Sequence, residues 1–117
     1  MIYLDSKLWI PLINLNPGYT VSQTLAMEYA SYQVNGNIVM FKGEIIRSNA
    51  LNEIVFVLPP EITPKKTLTF IVNSGGFIHT NGTGYLRFNK NGNVQLFPFS
   101  STLNRYVRIA KIMYLLE

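Results

Sequence analysis

At 117 residues the chain is one ordinary domain, with no room for a second core. Hydrophobic residues make up 48% and charged residues only 14%, which excludes a disordered chain and leaves few charges to keep every outer face in water, so some faces are expected to be interfaces. The net charge of +4 is scattered, with only Lys65 and Lys66 adjacent, which excludes a nucleic-acid stripe; zero cysteines exclude a disulfide frame and a thiolate metal site.

In chain order, residues 1–7 are expected to be a flexible lead-in. Met1 to Leu15 lacks the basic start and apolar core of a secretory leader, and no apolar run approaches membrane-spanning length, so no membrane insertion is expected. Trp9 to Leu15 forms the first predicted strand, ended by Asn16-Pro17-Gly18; Trp9 is expected to close one end of the core. Ala26 to Val34 and Ile38 to Arg47 then flank an Asn35-Gly36 hairpin turn. A two-residue turn puts Ala30, Tyr32, Val34, Val39, Phe41 and Ile45 on one face, which reads as core. Ser31, Gln33, Met40, Lys42 and Glu44 take the other, and Tyr29 on that outer side suits a subunit contact.

Strands Glu53 to Leu58 and Thr67 to Asn73 bracket a corner built on Pro59, Pro60 and Pro64, because proline fixes φ and lacks the N–H a ladder needs. Phe77 to Thr80 follows the Ser74-Gly75-Gly76 turn. Tyr85 to Lys90 and Val94 to Phe99 form a second hairpin around Asn91-Gly92, with Pro98 marking an edge or a bulge. Arg105 to Leu116 is compatible with a helix or a strand and is assigned to strand, being rich in β-branched and aromatic residues and lacking an N-cap box. It is apolar on both faces near its end, as a central or subunit-facing strand would be. Short strands with no helical segment predict an all-β, antiparallel sandwich or jelly-roll over residues 1–117.

Catalytic patterns are scarce. A Ser-His-Asp triad would need the sole histidine, His79, and the sole aspartate, Asp5, which lies in the terminal lead-in. Glycosidases need two carboxylates flanking one bond, and Glu28 and Glu44 are expected on opposite sides of the sheet. The Gly-rich turns precede strands rather than a helix, so they do not build a phosphate loop. The expectation is a protein that is not an enzyme, with no metal and no cofactor.

What remains is polar and aromatic surface. Saccharides present hydroxyls suited to amide or charged partners and C–H faces suited to aromatic rings. Phe77, His79, Asn81, Tyr85, Arg87 and Asn89 concentrate those types in one stretch and form the candidate carbohydrate site. The plainer reading makes Tyr85 a rim contact, Arg87 a solvated edge charge, His79 a structural histidine and the asparagines turn residues. The diffuse positive charge would favour an anionic partner such as a phosphate-bearing wall polymer, with solubility as its ordinary explanation.

Trp9-Ile10-Pro11-Leu12, the Asn16-Pro17-Gly18 loop, Tyr32 to Asn37 leading into Val39 to Gly43, the Leu58-Pro59 corner with Pro64, Asn91 to Val94 and the closing Ile109 to Tyr114 follow one another in a familiar order. In that order and spacing, over nearly the whole chain, the sequence resembles the C-terminal head domain of bacteriophage tail-fibre and baseplate receptor-binding proteins, of the type found in phages of lactic-acid bacteria. The resemblance implies a homotrimeric β-sandwich head, made in the host cytoplasm and carried at the tail tip of the virion. Such a head adheres to host cell-wall or capsule saccharide without cutting it and contacts other tail or baseplate proteins, with no nucleic acid as partner. The alternatives are a structural baseplate or tail-fibre module without sugar binding, and a cellular trimeric jelly-roll ligand.

Overall fold

A computed structural model of the chain describes residues 8–21, 29–47, 54–73, 83–98 and 106–116. Within them the chain is all-β: β1 (Ile10–Pro11), β2 (Tyr19–Val21), β3 (Ser31–Asn35), β4 (Ile38–Lys42), β5 (Glu44–Arg47), β6 (Ile54–Val57), β7 (Leu68–Asn73), β8 (Thr83–Phe88), β9 (Asn93–Pro98), β10 (Tyr106–Arg108) and β11 (Met113–Leu115). The proline corner holds one 3₁₀ turn, Pro60–Ile62. The strands form three antiparallel sheets, ordered β1-β3-β4-β11, β10-β5-β2 and β6-β9-β8-β7.

Two continuous stretches join the first two sheets into one bent layer. β4 passes into β5 through Gly43, whose φ is +96°, and beside it β10 passes into β11 through a turn at 109–112. Backbone bonds from Ile109 N to Gly43 O, Lys111 N to Phe41 O and Phe41 N to Ile112 O carry the ladder across the bend. The four-stranded β6-β9-β8-β7 sheet is the opposing layer, which makes the architecture a β-sandwich. Between the layers Phe41 meets Phe88 and Phe56 at ring-centroid distances of 5.5 and 6.4 Å, and Tyr114 meets Phe88 at 5.6 Å. The buried Tyr114 hydroxyl donates to Ile62 O at 2.7 Å, tying β11 to the proline corner. Burial pushes the Tyr114 pKa above its ordinary value, because the phenolate would have to leave water.

The first hairpin keeps the expected faces and moves the turn. Val34 pairs with Val39 and Tyr32 with Phe41, so the two loop residues are Gly36 and Asn37, and Gly36 takes φ +65° at the first central position. A slip of two residues leaves the apolar face intact, and Ala30, Tyr32, Val39, Phe41 and Ile45 are all buried.

Four expectations are corrected. The strand at Trp9 to Leu15 is cut: Ile10–Pro11 pairs with β3, while Leu15 bridges Phe56 in the other layer, so the segment crosses between layers. Trp9 does not close the core; it lies on the outer side of β1, 36% exposed, with the Lys42 ammonium 4.5 Å from its ring centroid. The long strands Ile38 to Arg47 and Arg105 to Leu116 are each broken by the shared bend, and among the described residues β11 takes the edge of its sheet, which leaves the subunit-facing alternative of the two expected for it. Past the bend Glu44, expected on the outer face, is buried against Arg108, which opposes it on β10. The predicted strand Phe77 to Thr80 lies outside the described residues.

Candidate functional site

The outward face of the β6-β9-β8-β7 sheet holds the residues the sequence singled out on β8. Alternation along a strand sends Leu86 and Phe88 into the core, which leaves Tyr85 and Arg87 facing outward. Cross-strand register then fixes their neighbours: Ile71, Tyr85 and Phe97 share one rung across three strands, and Thr69, Arg87 and Gln95 share the next. Tyr85 and Phe97 stack face to face, 5.1 Å between centroids and 6° between planes. The Arg87 guanidinium carbon lies over the Phe97 ring, 4.6 Å from its centroid. Phe97 therefore contacts both, and cation–π attraction adds to the stacking in holding the two side chains in place.

Asn89 serves the turn, as the plainer reading of the asparagines has it. It opens the second hairpin's turn, where its backbone N–H donates to Asn93 O at 2.9 Å and its carbonyl accepts from the Gly92 N–H at 2.9 Å. Its side-chain amide donates to Asn93 O at 3.2 Å and to Gln95 Oε1 at 3.1 Å. Asn89 thus orients the Gln95 carboxamide at the margin of the cluster, and the Nε2 donors of Gln95 are not used by Asn89. Phe77, His79 and Asn81 lie outside the described residues.

Phe97, Gln95 and Ile71 belong to the cluster and were missed from sequence, because finding them requires the register of the second hairpin. A two-residue Asn91-Gly92 loop would set Arg87 opposite Leu96. The observed turn runs from Asn89 to Gly92 and places Gly92 at φ +97°, a bulge geometry that moves the pairing to Arg87 with Gln95. Gly92 in the left-handed region was the available signal.

The chain matches no family model, no curated protein and no solved structure. The chemistry of the site is that of its own residues: two stacked rings, a guanidinium, a carboxamide and an exposed aliphatic side chain on the outward face of the sheet. Such a surface can hold a ligand by ring stacking and hydrogen bonding. No group of three His, Cys, Asp or Glu placed to hold a metal ion occurs among the described residues, and no helix among them is long and apolar enough to cross a membrane.

A second exposed surface lies on the other layer. Along the outer face of β1-β3-β4-β11, Met113 pairs with Met40 and Leu115 with Ile38, and Met113 and Leu115 are 54% and 57% exposed. Trp9 lies across the sheet at the β1 edge, and β3 between them contributes Ser31, Gln33 and Asn35, so the face is apolar along β4 and β11 and carries Lys42 as its one charged strand residue.

Proposed function

We propose that the protein is a non-catalytic saccharide-binding head of the phage tail-fibre or baseplate kind, acting as a homotrimer at the tail tip of a virion on host cell-wall or capsule glycan. The observation that carries this reading is the outward cluster of Tyr85, Phe97, Arg87 and Gln95. Stacked rings suit the C–H faces of a sugar, and the guanidinium and carboxamide suit its hydroxyls. A shallow site of this kind binds weakly by itself. Three copies on one head would act together, and linked sites raise avidity about 10² to 10⁴-fold.

The exposed apolar side chains of β11 on that outer face support the oligomeric part of the reading, since covering Met113 and Leu115 removes apolar area from water. The same face would serve a structural module that only joins other tail proteins. The two readings part on sugar affinity. Retention of the protein on an array of bacterial wall and capsule saccharides, lost in Phe97→Ala, is the expected result; assembly with a neighbouring virion protein and no retention on any saccharide would favour the structural module.

A further inference from the structure

The edge of β7 borders a groove that the outward cluster does not use. On the far side of the same sheet, residues 14–16 cover the edge of β6 through bonds from Asn16 N to Val55 O and from Val57 N to Asn14 O. β7 is the terminal strand at the other end, with no strand paired beyond it among the described residues. Between β7 and the turn joining β10 to β11 lies a cavity of about 330 Å³, lined by Phe70, Ile71 and Val72 on one wall and by Arg108, Ala110, Lys111, Ile112 and Met113 on the other. That volume falls within the range of small-ligand sites.

The charged residues described in this groove have one sign. Among the described residues no acidic side chain lines it. Arg108 directs Nε and Nη2 to Glu44 Oε2, each at 2.8 Å, so that cation is balanced by the buried carboxylate behind it. Lys111 then supplies the groove's unbalanced positive charge. Its backbone is unusual: Lys111 has φ +72°, the sole non-glycine with positive φ among the described residues. The bond from Ile112 N to Ile109 O closes a turn in which Lys111 is the third residue, where a type II turn favours glycine or asparagine. A lysine is held in a glycine position, at the wall of a groove lined by cations and apolar side chains.

We propose that this groove is a second subsite that takes an anionic group, phosphate or carboxylate, borne on a saccharide. The assignment rests on the carbohydrate reading above and extends it from neutral hydroxyls to charge. Continuity supports it: Ile71, 78% exposed, lines the groove and shares a rung with Tyr85 and Phe97, so one glycan can lie across the rings and reach Lys111. Charge complementarity selects the occupant, and the apolar wall of Phe70 and Ile71 suits the body of a sugar ring.

The test compares glucose 1-phosphate, glucuronate and glucose as probes, with binding followed by NMR shifts, for the native chain and for Lys111→Gly and Lys111→Arg. Glycine adopts φ +72° without strain, so Lys111→Gly keeps the turn while removing the charge. Both anionic sugars should perturb Ile71, Arg108 and Lys111 and bind about tenfold more tightly than glucose. Lys111→Gly should abolish that difference and Lys111→Arg should restore it. Equal affinity for all three sugars, or anion binding unchanged in Lys111→Gly, would overturn the subsite. Wall glycan is assayed in parallel: retention that is indifferent to Lys111→Gly removes the subsite and leaves the carbohydrate reading standing. Binding of glucose 1-phosphate at Lys111 with no wall glycan retained keeps the subsite, assigns it to free anionic sugars and removes the wall-adhesion reading.

Discussion

Phe97 contacts Tyr85 through its stacked ring and Arg87 through the cation above it, so removing it should loosen both partners. Phe97→Ala is expected to weaken saccharide binding more than Arg87→Ala, with about tenfold lost per site for the latter. All these side chains face away from the core, so the melting temperature should stay within a few degrees of native in both. A glycan titration beside a thermal melt checks this, and unfolding of Arg87→Ala would make the residue structural. Tyr114 is the opposite case, buried with its hydroxyl donating to Ile62 O. Its folded pKa is raised by burial above the ordinary value of 10.0, and that of Tyr32 is raised by burial and then by the Glu61 carboxylate. The unfolded chain therefore loses these protons first as pH rises. Stability should be unaffected below pH 10 and should fall above it, by up to about 1.4 kcal/mol per pH unit for each tyrosine. Urea unfolding at pH 8 and pH 11 reads the effect. Tyr114→Phe should be about 1 kcal/mol less stable at pH 8 and show a shallower alkaline loss. Tyr85 and Arg87 were legible because alternation alone sets their face; Phe97 was not, because its place depends on a turn geometry decided by Gly92.

The bend at Gly43 is the element on which the two-sheet layer depends. A Cβ there would run into the Tyr29 carbonyl and approach Ala30 N to 2.7 Å, in a backbone conformation of φ +96° that L side chains rarely adopt. Gly43→Ala should cost on the order of 3 kcal/mol or more, visible as a large drop in melting temperature. Gly36→Ala is the control: a Cβ there meets nothing within 4 Å, so only the φ of +65° opposes it and the loss should be about 1 kcal/mol. Elements whose cause is local were readable in advance, as with the proline corner and the apolar face of the first hairpin. The break at Gly43 and at 109–112 was not, since the bend arises from close approach of Tyr29 and from bonds between segments more than sixty residues apart. Local pattern sees two long strands there. Tertiary packing makes four short ones.

On the scale of the whole molecule, low charge and an outward apolar face belong together. In the proposed homotrimer, a chain with 14% charged residues would cover the exposed Met113 and Leu115 of β11 with a copy of itself. Light scattering should give about three times the 13.3 kDa chain mass, and Leu115→Glu should shift the population to monomers by placing a charge in the contact. The two-layer β-sandwich was legible from strand punctuation and hairpin signals; subunit number and ligand rest on surface chemistry, which sequence alone leaves unassembled. A crystal of the protein soaked with mixed wall saccharides tests the proposed function most directly. The predicted result is intact sugar lying against Phe97 and Tyr85 with Arg87 and Gln95 on its hydroxyls. Sugar bound only away from that face, or density for a cleaved product, would contradict it.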